Sequence, residues 1–217
     1  MLAQIKLMVQ TRSAKDITVR ELSDRFGVQL TEDENFFWEW QQRFPELEES
    51  EKQKLDRVKA SYINLLDYPP LLESAVKTIV LSPLLDLAGF YLPPFHIKTE
   101  ASIDIFDLDG ETKVTGKIDV LLASNGFWIA AIESKRAAFS LEVGLAQLLA
   151  YLLGFPDRDR PRFGLLTNGA NFLFVKLDRK AIARYSLSKM FYIRNPGNDL
   201  YPVLQILKQL KGAIDVS

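Results

Sequence analysis

The sequence contains no cysteine and a single histidine, His96, among its 217 residues. Without cysteine the chain can form no disulfide framework, no cysteine-ligated zinc site and no thiol nucleophile. A serine–histidine–aspartate triad would have to use His96, which follows two prolines closely and is expected to be an ordinary surface or core residue. Acid–base or metal chemistry must therefore rest on carboxylates, lysine and hard cations.

The chain also lacks a long apolar run and a strong charge imbalance. No apolar stretch approaches the ~18 residues that a bilayer-spanning helix needs, and the N-terminus lacks a signal peptide's apolar run and cleavage site. A cytoplasmic protein without membrane contact is expected. The net charge is −1, so a nucleic-acid surface, which is usually basic, would need unevenly distributed charge. Residues 31–51 carry eight acidic residues and one basic residue, whereas the last part of the chain is richer in bases.

The length and composition predict one α/β domain with an extension. Hydrophobic residues make up 47% of the chain and charged residues 25%, which is typical of a globular protein. Residues 1–68 are predicted to form a helical extension, in which Thr18 and Thr31 each begin a helix. Residues 69–217 are predicted to form the main domain, in the order helix, three strands, helix, two strands and a last helix. This order predicts a mixed β-sheet with helices on its faces.

The dipeptide Asn125-Gly126 separates two predicted strands, KVTGKIDVLLA and FWIAAIESK. Asn-Gly is a strong hairpin signal, so these two strands are expected to pair. Asp119 lies late in the first strand, and Glu133 and Lys135 close the second. The hairpin should therefore bring Asp119 close to Glu133. Because Glu133 and Lys135 are two residues apart, their side chains should leave the same face of the strand.

Two carboxylates and a lysine in this arrangement suit phosphodiester hydrolysis. We expect Asp119 and Glu133 to hold Mg²⁺ or Mn²⁺, with the carbonyl of Ser134 as a further hard ligand. Such an ion polarises a phosphate oxygen, and Lys135 would orient the attacking water or stabilise developing negative charge. The alternative is an ordinary Glu-Lys pair on a solvated sheet edge. The continuous apolar run Trp128–Ile132, which is typical of a strand buried on both faces, favours the metal site.

The pattern of charged residues resembles the motif of the PD-(D/E)xK nuclease superfamily. It consists of Asp119, Glu133 and Lys135, followed by a helix that carries Gln147 and Tyr151. Gln147 and Tyr151 are four residues apart and therefore share a helix face, and the pair is similar to the Q-x-x-x-Y motif of the RecB-like branch. Taken alone, the pair would be a core tyrosine with a polar neighbour. The resemblance implies a restriction-endonuclease-like fold in which both residues support the site.

Two further segments resemble the N-terminal nuclease domain of type I restriction enzyme R subunits. One is Glu73 with the downstream segment SPLLDLAGF, and the other is FGLLTNG. The resemblance implies that Glu73 approaches the metal from the first core helix; otherwise Glu73 is a solvated residue near a helix start. The similarity covers about residues 69–178 and includes no motor motif. Ile118 precedes Asp119, where many members of the superfamily have proline.

Together these features predict a Mg²⁺- or Mn²⁺-dependent DNA endonuclease linked to restriction or mobile-element biology. The alternative is a catalytically silent nuclease-fold module that binds DNA or supports an assembly. Residues 31–44 contain more aromatic side chains than one helix stripe can bury. These side chains either dock on the core or form a contact face, and we expect them to contribute to a homodimer or to a contact with a partner subunit. The clustered aromatic residues are Phe36, Phe37, Trp38 and Trp40.

Overall fold

The structure is a computed structural model, and it describes residues 10–68, 72–107, 111–124, 127–134, 141–157, 159–180 and 182–215. For residues 127–134, 141–143 and 213–215 it describes the backbone only. The strands are β1 (Gln10–Ser13), β2 (Gln29–Leu30), β3 (Phe95–Phe106), β4 (Thr112–Ser124), β5 (Phe127–Ser134), β6 (Arg162–Thr167), β7 (Asn171–Asp178), β8 (Arg184–Leu187) and β9 (Phe191–Tyr192). The α-helices are α1 (Val19–Phe26), α2 (Glu49–Leu66), α3 (Glu73–Val76), α4 (Ser82–Leu87), α5 (Leu141–Leu153) and α6 (Leu200–Asp215). Every helix in these ranges is too short or too polar to cross a membrane.

The described strands form a mixed β-sheet, as the order of predicted elements indicated. Its order is β1-β4-β5-β6-β7-β8-β2, with β3 paired to β4 and β9 paired to β7. Three pairings are parallel, namely β1 with β4, β2 with β8 and β5 with β6. Helix α5 connects the parallel strands β5 and β6, which is the usual crossover between such strands. Strands β4 and β5 pair antiparallel, as predicted, and the Asn125-Gly126 turn between them lies outside the described residues.

The sheet separates two hydrophobic cores. The first lies beneath α2, α4 and α6, and the second lies beneath α1 and α5. Neighbouring residues of β6 alternate between them, because Leu165 packs in the first core and Leu166 in the second. A strand whose successive side chains enter opposite cores is buried on both faces. This burial explains the nearly continuous apolar sequence of the central strands.

Strands β3 and β4 change face halfway along their length. Ile118 packs in the second core and Val120 in the first, although residues two apart in a regular strand share one face. The change falls at Asp119. On β3, the residue that the flanking register places opposite Asp119 is Glu100, and its backbone is left-handed with a φ of 52°. The flanking pairs are Thr99↔Val120 and Ala101↔Ile118.

Helices α3 and α4 are joined without a break by a π-helical turn, Lys77–Leu81. Pro83 in the first turn of α4 has no N–H to donate to residue 79, and its ring would clash with that carbonyl in a regular α-helix. The wider π-turn removes this conflict, and the N–H of Ser82 bonds to the carbonyl of Lys77 instead. A π-turn of this kind is frequent near functional sites.

The segment before residue 69 contains strands as well as helices, which corrects the expectation of an entirely helical extension. Strand β1 pairs with β4, and β2 pairs with β8. Helix α1 begins after Thr18 as predicted, with a reciprocal capping box to Glu21. No α-helix begins at Thr31; turns and a short 3-10 helix, Trp38–Trp40, follow it instead.

Lys176 of β7 explains why this segment is not an α-helix. Its ammonium group donates hydrogen bonds to the carbonyl of Phe36 at 2.8 Å and to the carboxylate of Glu39 at 2.6 Å. These tertiary contacts outweigh the local helix signal. They hold the aromatic segment against the sheet, where Phe37 is buried in the first core. Trp38 is 45% exposed.

Candidate functional site

Lys77 joins two of the predicted site residues. Glu73 lies in the first turn of α3, and Lys77 follows one turn later, where the π-turn begins. The Lys77 Nζ lies 2.8 Å from the Glu73 Oε1 and 3.0 Å from the Asp119 Oδ1. Because both distances start from the same Nζ, the two carboxylate oxygens can be at most 5.8 Å apart. Helix α3 and strand β4 therefore bring Glu73 and Asp119 to one cationic group.

The cluster is partly accessible to solvent. Asp119 is the most buried of the three side chains at 19% exposure, while Lys77 and Glu73 are 32% and 39% exposed. Burial lowers the pKa of Lys77, but its hydrogen bonds to Glu73 and Asp119 outweigh this effect, so its pKa lies above the ordinary value. Lys77 is therefore a stable positive charge between two carboxylates.

The backbone places Asp119 and Glu133 at the same end of the β4–β5 ladder. The last pair of this ladder toward that end is Val120↔Ile132. Asp119 and Glu133 are the next residues on their strands, and β5 continues through Ser134. The side chains of Glu133 and Ser134, and the whole of Lys135, lie outside the described residues. The convergence of Asp119, Glu133 and Lys135 stays a prediction.

Gln147 and Tyr151 lie on the α5 side of β4. Both side chains are buried, and the Nε2 of Gln147 donates a hydrogen bond to the Tyr151 hydroxyl. That hydroxyl donates in turn to the backbone carbonyl of Lys117 at 2.7 Å. Lys117 precedes Asp119 by two residues, so the pair is attached to the backbone that carries Asp119. A supporting role requires this kind of contact, and the role itself stays a prediction.

Lys77 was not among the residues that the sequence motifs identified. A signal was present, because Glu73 and Lys77 have the four-residue spacing of a stabilising helix pair. That spacing indicates the first ion pair only. The second, to Asp119, joins residues 42 positions apart on different elements, and no local pattern predicts it.

The donor set fits a hard divalent cation. Glu73 and Asp119 already hold one positive charge, and carboxylate oxygens are the ligands that Mg²⁺ and Mn²⁺ prefer. Within the ranges that the structure describes, histidine, aspartate and glutamate form no group of three potential ligands. The third carboxylate expected from the motif is that of Glu133, whose backbone lies next along the ladder.

No protein-family model matches this chain, and a search of curated proteins finds no significant match to it. The interpretation of the site therefore depends on its own residues. The relevant observations are the two carboxylates at Lys77, the backbone proximity of Asp119 and Glu133, and the buried pair on α5.

Proposed function

We propose that the chain is a metal-dependent DNA endonuclease with a restriction-endonuclease-like core, linked to restriction or mobile-element biology. The observation that carries this proposal is the convergence of Glu73 and Asp119 on one cationic position beside the end of β5. A carboxylate from a helix and another from a strand end, meeting at a partly exposed position, form a suitable base for a Mg²⁺ or Mn²⁺ site. DNA as the substrate comes from the resemblance of the motif.

Each residue then has a distinct part in phosphodiester hydrolysis. Asp119, Glu133 and Glu73 would hold the ion, with the carbonyl of Ser134 as a further ligand. When bound, the ion supplies charge that polarises the scissile phosphate and favours ionisation of water. Lys135 would orient the attacking water and stabilise the negative charge that develops on the phosphate.

Gln147 and Tyr151 act through the backbone in this proposal. Tyr151 holds the carbonyl of Lys117, and Gln147 fixes the Tyr151 hydroxyl. Precise placement matters because a displacement of about 1 Å can cost roughly 100-fold in rate. Both are therefore positioning residues, and neither is assigned a contact with DNA.

The second candidate function is a catalytically silent nuclease-fold module that binds DNA or supports an assembly. One observation favours it, because the ammonium group of Lys77 already forms ion pairs with both Glu73 and Asp119. An ion pair of this kind would persist in a protein that had lost the need for an ion. The two candidates differ in metal binding and in cleavage.

Incubation of the purified protein with supercoiled and linear duplex DNA separates these candidates. Cleavage should appear with Mg²⁺ or Mn²⁺ and disappear with EDTA. Glu133→Ala and Asp119→Asn should each abolish it. Asp104→Asn is the matched control, because Asp104 is also a β-sheet carboxylate paired with a lysine, 2.8 Å from Lys113, yet lies outside the cluster. Metal-independent DNA binding without cleavage would favour the silent module.

We also propose that residues 31–44 contribute to a homodimer or to a contact with a partner subunit. Phe36 and Trp40 pack against the first core beside the buried Phe37, which leaves Trp38 as the exposed aromatic of this segment. Light scattering at micromolar concentration should show a dimer or larger species, and Trp38→Ser should weaken it. A monomeric native protein would contradict the proposed homodimer, and the contact with a partner subunit would then be the remaining proposal.

A further inference from the structure

Lys77 occupies the place between two carboxylates that a divalent ion would need. In the described part of the chain, each of the other lysine ion pairs involves a single carboxylate, as in Lys113 with Asp104 and Lys208 with Glu51. Lys77 contacts two, and these come from different elements. An ammonium group within 3.0 Å of both oxygen atoms leaves no room for a second cation between them.

We propose that Lys77 is an internal counter-cation, which holds Glu73 and Asp119 together in the metal-free protein and must be displaced before a divalent ion can bind. This inference rests on the proposed metal-dependent function and adds a control on it. Lys77 is then a positioning residue for the metal ligands.

The physical argument concerns the charge of the cluster. Glu73 and Asp119 alone carry two negative charges that repel one another when they are close. Lys77 reduces the net charge of the three side chains to −1, which keeps both carboxylates ionised and near each other. The same positive charge repels an incoming Mg²⁺ or Mn²⁺, so the ion must break two ion pairs in order to bind.

The geometry allows this displacement. Lys77 is 32% exposed and has a flexible four-carbon stem, so its ammonium group can turn toward solvent without moving the helix backbone. Asp119 belongs to β4 and Glu73 to the first turn of α3. The two carboxylates can therefore keep their positions while the cation between them changes.

The test measures Mn²⁺ affinity by isothermal titration calorimetry, without DNA and without reference to cleavage. Lys77→Met removes the charge and keeps much of the side-chain volume. We expect it to bind Mn²⁺ about tenfold more tightly than the native protein, which corresponds to ~1.4 kcal/mol. In EDTA the same variant should melt at a lower temperature, because the ammonium group that joins Glu73 to Asp119 is then missing.

Two control variants separate this effect from general destabilisation. Lys113→Met is the matched control, because Lys113 is 31% exposed and pairs with Asp104 at 2.8 Å. Its Mn²⁺ affinity should equal that of the native protein. Lys77→Arg keeps the positive charge and should also keep the native affinity. If Lys77→Met does not fold, as judged by circular dichroism, Lys77→Gln serves in its place.

The outcomes distinguish this inference from the proposed function. Equal Mn²⁺ affinity in the native protein and in Lys77→Met overturns the role of Lys77, while the metal site stands. Loss of Mn²⁺ binding in Lys77→Met also overturns it, because Lys77 would then assist the ion. Absence of Mn²⁺ binding in every variant at millimolar concentration refutes the metal site itself, and the role of Lys77 with it.

Discussion

The hydroxyl of Tyr151 donates a hydrogen bond of 2.7 Å to the backbone carbonyl of Lys117. This contact joins α5 to β4 two residues before Asp119. Gly116 makes it possible, because a Cβ at that position would lie 2.7 Å from the Cε1 of Tyr151. Either the ring or its neighbours would then have to shift. Helix α5 is thus held to strand β4, which carries Asp119, by a hydrogen bond from a side chain to the backbone.

Tyr151→Phe should destabilise the protein by ~1–2 kcal/mol, because it leaves the Lys117 carbonyl and the Gln147 amide without this buried partner. Urea unfolding at neutral pH measures the loss. Tyr62→Phe is the matched control, since Tyr62 is also buried and its hydroxyl bonds to none of the described residues. A loss in Tyr151→Phe no greater than in Tyr62→Phe would contradict the assigned role of the hydroxyl.

The sequence predicted the elements around the site because their signals are local. The apolar run Trp128–Ile132 indicated a buried strand, and β5 spans it. Asn125-Gly126 indicated that the strands on either side of it pair, and the register shows β4 and β5 as antiparallel neighbours. The capping box of Thr18 with Glu21 correctly placed the start of α1. Each of these signals operates within a few residues, where backbone preference and turn chemistry decide the structure.

The remaining features depend on contacts between distant residues, which a sequence pattern does not contain. Strand β1 is only four residues long, and it forms because its backbone pairs with that of β4. The segment after Thr31 does not form the predicted helix, because it is held by hydrogen bonds to Lys176, which is more than 130 positions away. The face change at Glu100 and Asp119 interrupts an otherwise regular alternation. The contact of Lys77 with Asp119 likewise requires the assembled sheet.

The ion pair of Lys176 with Glu39 should be essential for packing the aromatic segment. Both side chains are less than a tenth exposed, and the Glu39 Oε2 has no hydrogen-bond partner among the described residues. Lys176→Met should therefore destabilise the protein by ~3–5 kcal/mol, because it leaves a buried carboxylate without its counter-charge. Guanidinium unfolding, followed by tryptophan fluorescence, measures the change.

A double variant tests whether the unpaired charge causes that loss. Lys176→Met combined with Glu39→Met should recover a large part of the stability, since apolar replacement of both partners is often close to neutral. Lys208→Met is a control at a more exposed pair, with Glu51, and should cost no more than ~1 kcal/mol. Equal losses in Lys176→Met and in the double variant would show that packing, and not charge, is responsible.

Glu21 should make the stability of the first helix dependent on pH. The hydrogen bond from Arg12, followed by those from Thr18, lowers the pKa of Glu21 from 4.5 to about 2. A folded-state pKa below the unfolded value gives stability that is present above about pH 4.5 and lost as the pH falls toward 2. Glu21→Gln should thus be less stable than the native protein by ~1 kcal/mol at pH 7, a value reduced by solvent screening.

Urea unfolding between pH 7 and pH 3 tests this dependence. The difference between native protein and Glu21→Gln should be constant at neutral pH and shrink below about pH 4.5. Asp24→Asn is the control, since the pair of Asp24 with Arg20 is largely exposed and its atoms lie 3.7 Å apart. Its difference from the native protein should be near zero throughout. A difference for Glu21→Gln that grows as the pH falls has the wrong sign for this account.

The last prediction links metal binding to stability through Asp119 and Glu133. A divalent ion that binds only the folded protein raises its stability by ~2.7 kcal/mol at 100 times its dissociation constant, or roughly 5–10 °C in melting temperature for a chain of this size. Thermal melts in EDTA and in Mn²⁺ should show this gain for the native protein. Asp119→Asn and Glu133→Gln should each lose most of it, because each removes a proposed ligand.

The metal-free melts of the same variants identify what each carboxylate does without an ion. Asp119→Asn should melt below the native protein in EDTA, because Lys77 loses one of its two partners. Glu133→Gln should melt at the native temperature or above it, since it relieves repulsion with Asp119 without changing volume. Glu51→Gln, which alters the ion pair of Glu51 on α2 with Lys208 on α6, should lose stability yet keep the full Mn²⁺ response. Identical native melting temperatures in EDTA and in saturating Mn²⁺ would reject the metal site, and the contact of Asp119 with Lys77 would then be structural.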